Sequence, residues 1–157
     1  MARPWSVSKT IVPESSSDAV LSVKLDHAYE DAVVVSYMTE GVTARPGLDF
    51  EHVEGTLTFA PGVTAIPLTV PIVGDALNEE NERFRLLLDS LPHVHTHAHI
   101  RIADNDPLPA VSMGDAPAVT EGQTASEPAV FSISLSAPSG RALTVNCAIG
   151  RQHGRGR

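Results

Sequence analysis

Three features of the 157-residue sequence predict an all-β fold, a seven-stranded immunoglobulin-like antiparallel β-sandwich. Apolar and polar residues alternate in several short segments, which is typical of strands with one buried face. Glycine and proline separate these segments, and no segment carries apolar residues at helical spacing. About seven such segments fall within roughly 105 residues, a strand density typical of immunoglobulin-like sandwiches.

Each predicted strand presents one apolar face to the core. In chain order, the residues expected to point inward are Ala19, Leu21, Val23 and Leu25; Val33, Val35 and Tyr37; Leu57 and Phe59; Ile66, Leu68, Val70 and Ile72; Phe84, Leu86 and Leu88; and Ala98, Ile100 and Ile102. Pro67 and Pro71 lie on the opposite face of "AIPLTVPIV", and proline cannot donate a hydrogen bond to a ladder. We therefore expect that strand to lie at a sheet edge or to contain bulges. Trp5 is expected to pack on the sandwich.

An internal repeat at an offset of 110 residues predicts a second, incomplete unit. It matches "SVKL" with "SISL", "AVVVSYMT" with "ALTVNCAI", and Glu14 with Glu121. The predicted organisation is a complete domain at 1–106, a linker at 107–109, a partial repeat at 110–149 that stops after three strands, and a basic tail at 150–157. The tail, "GRQHGRGR", does not continue the repeat. An out-of-frame continuation and an ordinary basic tail both remain open, and the coding DNA would decide between them.

Composition excludes several classes of function. The formal net charge of −8 disfavours nucleic acid and anionic membrane as partners. No apolar run reaches the ~18 residues of a membrane span, and the start lacks the apolar stretch of a secretory signal. The single cysteine, Cys147, excludes an intramolecular disulfide and is expected to be a buried apolar residue. No serine has a nucleophile motif and the acidic loop has no Trp or Tyr, so we expect no enzyme.

Acidic residues collect between the predicted strands. "VGDALNEENERF" contains Asp75, Glu79, Glu80 and Glu82, "PGLDF" contains Asp49, "ADND" contains Asp104 and Asp106, and Glu14 follows the first strand. In a sandwich these places can fall at one end, where carboxylates ~4 Å apart repel by several kcal/mol. Such a cluster favours a bound cation, and calcium suits it because it takes ~6–8 oxygen ligands in flexible geometry. A solvated acidic loop is the alternative.

Four motifs in order resemble the Calx-beta domain family: "GVTARPGLDF", "GTLTFAPG", "GDALNEENERF" and "IRIADND". The resemblance covers about residues 5–106 fully and 109–149 in part. It implies a seven-stranded sandwich with calcium sites at its loop end, as in regulatory loops of sodium–calcium exchangers and in large bacterial surface proteins. The ligands that it implies are Glu14, Asp49, Asp75, Glu79, Glu82, Asp104 and Asp106.

Two positions depart from the family pattern. Gly74 stands where many members have a second aspartate, and Asn105 interrupts the terminal acidic triplet, although its amide carbonyl could still serve an ion. Both departures suggest weaker binding or fewer ions. Glu80 lies off the motif and is expected to be solvated.

The resemblance implies a calcium-binding structural or adhesive module of a larger, membrane-associated protein that serves cell adhesion or cell communication. Its partners would be calcium ions and neighbouring repeats or other domains, with the ion stiffening the joint at "DNDPLP". A calcium-insensitive spacer and a calcium-dependent carbohydrate- or protein-binding module are the alternatives. The family favours an extracellular or cell-surface location, although the chain carries no signal peptide.

A run of alternating histidines is the remaining motif. His93, His95, His97 and His99 are expected to share an outward face. Imidazoles about 6.5–7 Å apart could hold Zn²⁺ or Ni²⁺ weakly in pairs, or could simply decorate an exposed strand.

Overall fold

A computed structural model describes residues 5–8, 10–90, 94–115, 118 and 128–150. The described residues form ten β-strands: β1 (Trp5–Ser8), β2 (Ile11–Pro13), β3 (Asp18–Leu25), β4 (Val33–Gly41), β5 (Glu54–Phe59), β6 (Ala65–Pro71), β7 (Glu82–Ser90), β8 (Val94–Ala103), β9 (Val111–Met113) and β10 (Ile133–Leu135). Within these ranges the structure shows no helix of the length and hydropathy that crossing a membrane requires.

The first eight strands form the predicted sandwich. One sheet has the order β1-β3-β6 and the other the order β2-β8-β7-β4-β5. All pairs are antiparallel except β2 with β8. The unit has eight strands rather than seven because the N-terminal segment changes sheets between Ser8 and Ile11. It therefore contributes one short strand to each sheet.

The core lies between the inner faces of the two sheets, as the period-2 pattern predicted. The predicted inward residues are buried, except that Val33, Tyr37, Ile66 and Ala98 are only partly buried. Phe50 and Phe84 stack with ring centroids 4.5 Å apart. Trp5 is 6% exposed and belongs to the same core. Each fully buried Val, Leu or Phe side chain contributes about 1.5–3 kcal/mol to the stability of the fold. The packing of this core therefore holds the two sheets together.

Two Pro-Gly turns fix loops at the sheet ends. Gly47 and Gly62 have φ angles of 81° and 79°, which only glycine adopts readily. Each turn is closed by a backbone hydrogen bond, Leu48 N to Arg45 O at 3.1 Å and Val63 N to Ala60 O at 2.9 Å. The proline-containing strand β6 lies at a sheet edge, as predicted.

The described residues of the predicted second unit contain one antiparallel pair, β9 with β10. The strand predicted from "ALTVNCAI" is wrong, because residues 142–150 form none, and Cys147 is exposed rather than buried. The matching strand of the first unit, β4, pairs with the later strands β5 and β7. Without such partners residues 142–149 have no ladder to join. Glu121 and the tail after Gly150 lie outside the described residues.

Candidate metal centre

The parallel pairing of β2 and β8 brings the first three predicted ligands together. Pro13 is in register with Ala103, so Glu14 and Asp104 both follow directly after paired residues. The Glu14 amide donates to the carbonyl of Ala103 at 2.9 Å and extends the pairing by one residue. One oxygen each from Glu14, Asp104 and Asp106 lie within 4.8 Å of one another. These three residues form the first carboxylate group.

A second carboxylate group consists of Asp49, Glu79 and Glu82, whose ligand oxygens also lie within 4.8 Å of one another. The Pro46–Gly47 turn positions Asp49, since the Arg45 amide donates to Asp49 Oδ2 at 2.6 Å and the Asp49 amide donates to Arg45 O at 3.0 Å. Glu82 is the first residue of β7. The turn and the strand end therefore hold two of the three carboxylates by backbone geometry.

Asp75 links the two groups. Its amide donates to Glu14 Oε1 at 3.1 Å, and its carboxylate accepts from the Leu77 amide at 2.7 Å. Burial is the main cause that raises the pKa of Glu14 and of Glu79, and the charge of Asp75 raises both further, although its amide hydrogen bond lowers the pKa of Glu14. The structure thus brings all seven sequence-predicted candidates to one end of the sandwich.

The electrostatics of this end disfavour full ionisation. Burial is the largest cause that raises the pKa of Glu14, Glu79 and Glu82 above the ordinary value of 4.5. The pKa of Glu82 reaches about 7, because a hydrogen bond with Asp49 and the charges of Asp49 and Glu79 add to burial. A proton or a cation would relieve the same repulsion.

Asn78 is part of this end, and the sequence reasoning missed it. Its side chain is 8% exposed, and Nδ2 donates to Asp104 Oδ2 at 3.0 Å and to Asp106 O at 2.8 Å. Its Oδ1 is buried and has no hydrogen-bond partner. A buried acceptor without a donor is costly, and a neutral amide oxygen is a ligand that calcium accepts. The only signal in the sequence was its place inside the acidic loop.

The two departures from the family pattern have local structural explanations. A Cβ on Gly74 would lie 2.7 Å from the backbone oxygen of Glu14, so an acid at this position would require the backbone to shift. Asn105 is exposed, and its Oδ1 accepts a hydrogen bond from the Ser15 amide at 3.1 Å. Asn105 therefore joins the two loops that carry the first carboxylate group.

Residues 139–141, in the predicted second unit, contact the acidic loop. Glu80 is exposed but not merely solvated as expected, because it forms an ion pair with the Arg141 guanidinium. Ser139 pairs with Asn78 in an isolated bridge, and a Cβ on Gly140 would collide with the Glu79 side chain. A cavity of about 760 Å³ remains between them, and its lining includes Asp49, Asp75, Glu79, Glu82 and Arg141.

Comparison with models of known sequence families identifies the family of this chain. The sequence model of the Calx-beta domain matches residues 6–106, over the sandwich and its acidic end. The chain belongs to the Calx-beta family.

Several relatives of this Calx-beta chain are much longer proteins. Human sodium/calcium exchanger 2 is 44% identical over 57 residues, which are 36% of this chain and 6% of the exchanger. Dog sodium/calcium exchanger 1 is 39% identical over 61 residues, 39% of this chain and 6% of that protein. The chain thus spans a small fraction of the curated relatives that it matches.

Solved Calx domains share the fold of this Calx-beta chain. The crystal structure of the apo form of the Calx CBD1 domain superposes with a TM-score of 0.55 and 26% identity, over 62% of this chain and 91% of that one. CBD12 from CALX1.2 gives the same TM-score and identity over 43% of its own chain. The Calx CBD2 domain, with a TM-score of 0.53 and 16% identity, covers 66% of this chain and 91% of its own; it shows likeness of fold alone.

The histidine run of this Calx-beta chain lies away from the acidic end. His97 and His99 are exposed and point outward as predicted, with ring centroids 5.2 Å apart in an edge-on arrangement. His93 and the side chain of His95 lie outside the described residues.

Proposed function

We propose that this Calx-beta chain is a calcium-binding module whose ions are held at the acidic end of the sandwich. The observation that carries the proposal is the pair of three-carboxylate groups at one end, with Asp75 between them. Such a concentration of negative charge must be relieved, and an ion that accepts ~6–8 oxygens relieves the most repulsion at once. The proposed ligands are the seven predicted acids: Glu14, Asp49, Asp75, Glu79, Glu82, Asp104 and Asp106.

The chemistry of the donor set supports calcium over other metals. Every proposed ligand offers oxygen, and Asn78 adds a buried amide oxygen without a hydrogen-bond partner. Soft ions prefer sulfur or imidazole nitrogen. Magnesium demands strict octahedral geometry at ~2.0–2.1 Å and keeps several waters, so it should bind this crowded set less well.

The proposal extends to the joint between the two units. Asp104 and Asp106 immediately precede the linker at 107–109, and the ion pair between Glu80 and Arg141 connects the acidic loop to the second unit. An ion held by Asp104 and Asp106 would restrain the start of the linker. We therefore propose a structural or adhesive module of a larger protein. The relatives are named sodium/calcium exchangers, which supports a membrane-associated parent. The proposal includes no enzymatic role.

A calcium-insensitive spacer is the second candidate. Two observations favour it. Gly74 has no room for the acid that many family members carry, and the Arg141 guanidinium already supplies one positive charge beside the acidic loop. The two candidates differ in whether an added ion stabilises the fold.

A thermal-unfolding series separates the two candidates. We expect the unfolding midpoint of the full chain to rise in millimolar Ca²⁺ relative to chelator, and to rise less in Mg²⁺. A ligand at ~100 times its dissociation constant stabilises the folded state by ~2.7 kcal/mol. Asp106→Asn and Glu79→Gln, one from each carboxylate group, should remove most of the calcium effect. Glu80→Gln is the loop control and should retain it. An unchanged midpoint in the wild-type chain would favour the spacer.

A further inference from the structure

The outward face of β7 and β8 concentrates positive charge in a protein of net charge −8. Because Phe84, Ile100 and Ile102 point into the core, the alternating neighbours point to solvent. These outward residues are Arg83, Arg85, His97, His99 and Arg101. We refer to these five residues as the basic face.

Two arginines of the basic face stand directly opposite each other. Arg83 is in register with Arg101 across the antiparallel ladder, and Arg85 is in register with His99. Arg85 is already neutralised, since its Nη2 and Nε lie 2.7 and 2.9 Å from Glu40 Oε2. No carboxylate of the described residues pairs with Arg83 or Arg101. Like charges directly opposite on neighbouring strands are destabilising, so this pair is poised to accept an anionic group.

The same sheet face carries an apolar groove beside the basic face. Leu87 is in register with Met38 on one side and with His97 on the other. Met38 and Leu87 border a cavity of about 550 Å³, whose rim includes Glu54 and Asp89. Met38 is 42% exposed. Methionine and arginine are both enriched in protein–protein interfaces, whereas isolated surface positions favour lysine and glutamate.

We propose that this sheet face binds an acidic, extended segment of a partner polypeptide. A carboxylate of the segment would sit between the guanidiniums of Arg83 and Arg101, whose planar forks match carboxylate geometry. An apolar side chain about four residues along the segment would enter the groove at Met38 and Leu87, since Arg83 and Leu87 are ~13 Å apart along an extended strand.

Charge complementarity favours a polypeptide over a sulfated polysaccharide. A sulfated chain carries negative charge along its whole length, and the exposed carboxylate of Glu54 at the groove would repel it. A peptide can place charge at the arginines and an apolar residue at the groove. The site lies on a sheet face and needs no calcium, so the proposal is independent of the proposed calcium function.

The experiment measures binding of one defined peptide to the full chain. The probe is a fluorescein-labelled peptide with an amidated C-terminus, Glu-Glu-Thr-Ser-Thr-Leu-Leu, so that its last residues carry no charge. The readout is fluorescence anisotropy in chelator at about 50 mM salt, where screening is moderate. We expect saturable binding. Arg83→Gln and Arg101→Gln should each weaken the affinity about tenfold through loss of a charge-assisted pair. Met38→Ser should weaken it about fivefold through loss of apolar contact.

Lys24→Gln is the matched control. Lys24 lies exposed on β3 of the other sheet, so this change removes the same charge at a distant place and should leave affinity unchanged. Unfolding midpoints of the two arginine variants should equal or slightly exceed that of the wild type, because a like-charge contact is relieved.

Three outcomes would overturn the proposal. The first is no anisotropy change up to about 1 mM chain, which corresponds to only ~4 kcal/mol of binding. The second is a loss of affinity in Lys24→Gln equal to that in the arginine variants. The third is displacement of the peptide by a sulfated oligosaccharide that binds tightly whether or not Met38 is replaced.

Discussion

Replacing Glu82 by glutamine should stabilise the calcium-free protein at alkaline pH. The change keeps the side chain's size and its hydrogen-bonding contact with Asp49 but removes the charge. The folded-state pKa of Glu82 is raised from 4.5 to about 7, so the stability linked to its protonated form is fully present below pH 4.5 and is lost as the pH rises through about 7. The full shift would correspond to about 3 kcal/mol. Partial exposure to solvent reduces this to about 1–2 kcal/mol.

The expected rise in unfolding midpoint is about 4–16 °C at pH 8, because each kcal/mol moves the midpoint of a ~100-residue domain by about 4–8 °C. At pH 5 the gain should be much smaller, since the wild-type side chain is then already protonated in the folded state. In saturating Ca²⁺ the order should reverse, because the variant lacks a proposed ligand.

Differential scanning calorimetry of the full chain in chelator, at pH 5 and pH 8, measures these shifts. Glu30→Gln serves as the control, because Glu30 is an exposed acid in the loop between β3 and β4. A midpoint that stays the same or falls in Glu82→Gln at pH 8 would contradict the raised pKa of Glu82. An identical rise of the unfolding midpoint in Glu30→Gln would show that the change in net charge alone causes the effect.

Three further predictions follow from contacts at the acidic end and in the second unit. Gly74→Ala should lower the unfolding midpoint by the equivalent of about 1–3 kcal/mol, because the added Cβ would meet the Glu14 backbone oxygen at 2.7 Å. Gly150→Ala is the control, because the space around Gly150 is open, and equal midpoints in the two variants would contradict the contact at Gly74. Asn78→Ala should lower the free energy of unfolding by about 1–3 kcal/mol and weaken the calcium response, because it removes the hydrogen-bond donor to Asp104 and Asp106. Retention of both the stability and the calcium response would show that the amide is dispensable. Amide exchange should be much faster at 128–150 than in β3 and β7, because β9 and β10 form an exposed two-stranded ladder; similar protection would indicate stable docking of the second unit.

The inner faces of the sandwich could be predicted from the sequence because side-chain alternation in a strand is set by backbone geometry. The burial of Leu21, Val35 and Phe84 could be predicted without knowing which strands are neighbours in the sheets. The division of the first strand between two sheets depends on long-range pairing, with Val7 opposite Val23 in one sheet and Val12 beside Ile102 in the other. No local pattern encodes that division.

The acidic end was predictable in its members but not in its details. Asp49, Asp75 and Asp104 follow turns or strand ends, and such positions meet at the ends of a sandwich. Asn78 gave no comparable signal, because a single amide among acids is also common in solvated loops. The ion pair between Glu80 and Arg141 joins residues far apart in sequence, and its existence depends on where the second unit lies.

The strand predicted at 142–149 shows the limit of pattern reasoning. Its alternation matches β4, but a strand is stable only when neighbours satisfy its backbone and cover its apolar face. In the first unit β5 and β7 provide these neighbours. The described residues of the second unit contain no counterpart of either, and Cys147 is accordingly exposed.

Calorimetric titration of Ca²⁺ into the full chain tests whether the acidic end binds calcium. We expect a saturable heat of binding in the wild-type chain. Asp49→Asn and Asp104→Asn, one from each carboxylate group, should each reduce it, and Glu30→Gln should leave it intact. A wild-type chain that gives no saturable heat in millimolar Ca²⁺, and whose unfolding midpoint is the same in Ca²⁺ and in chelator, would contradict calcium binding at this end.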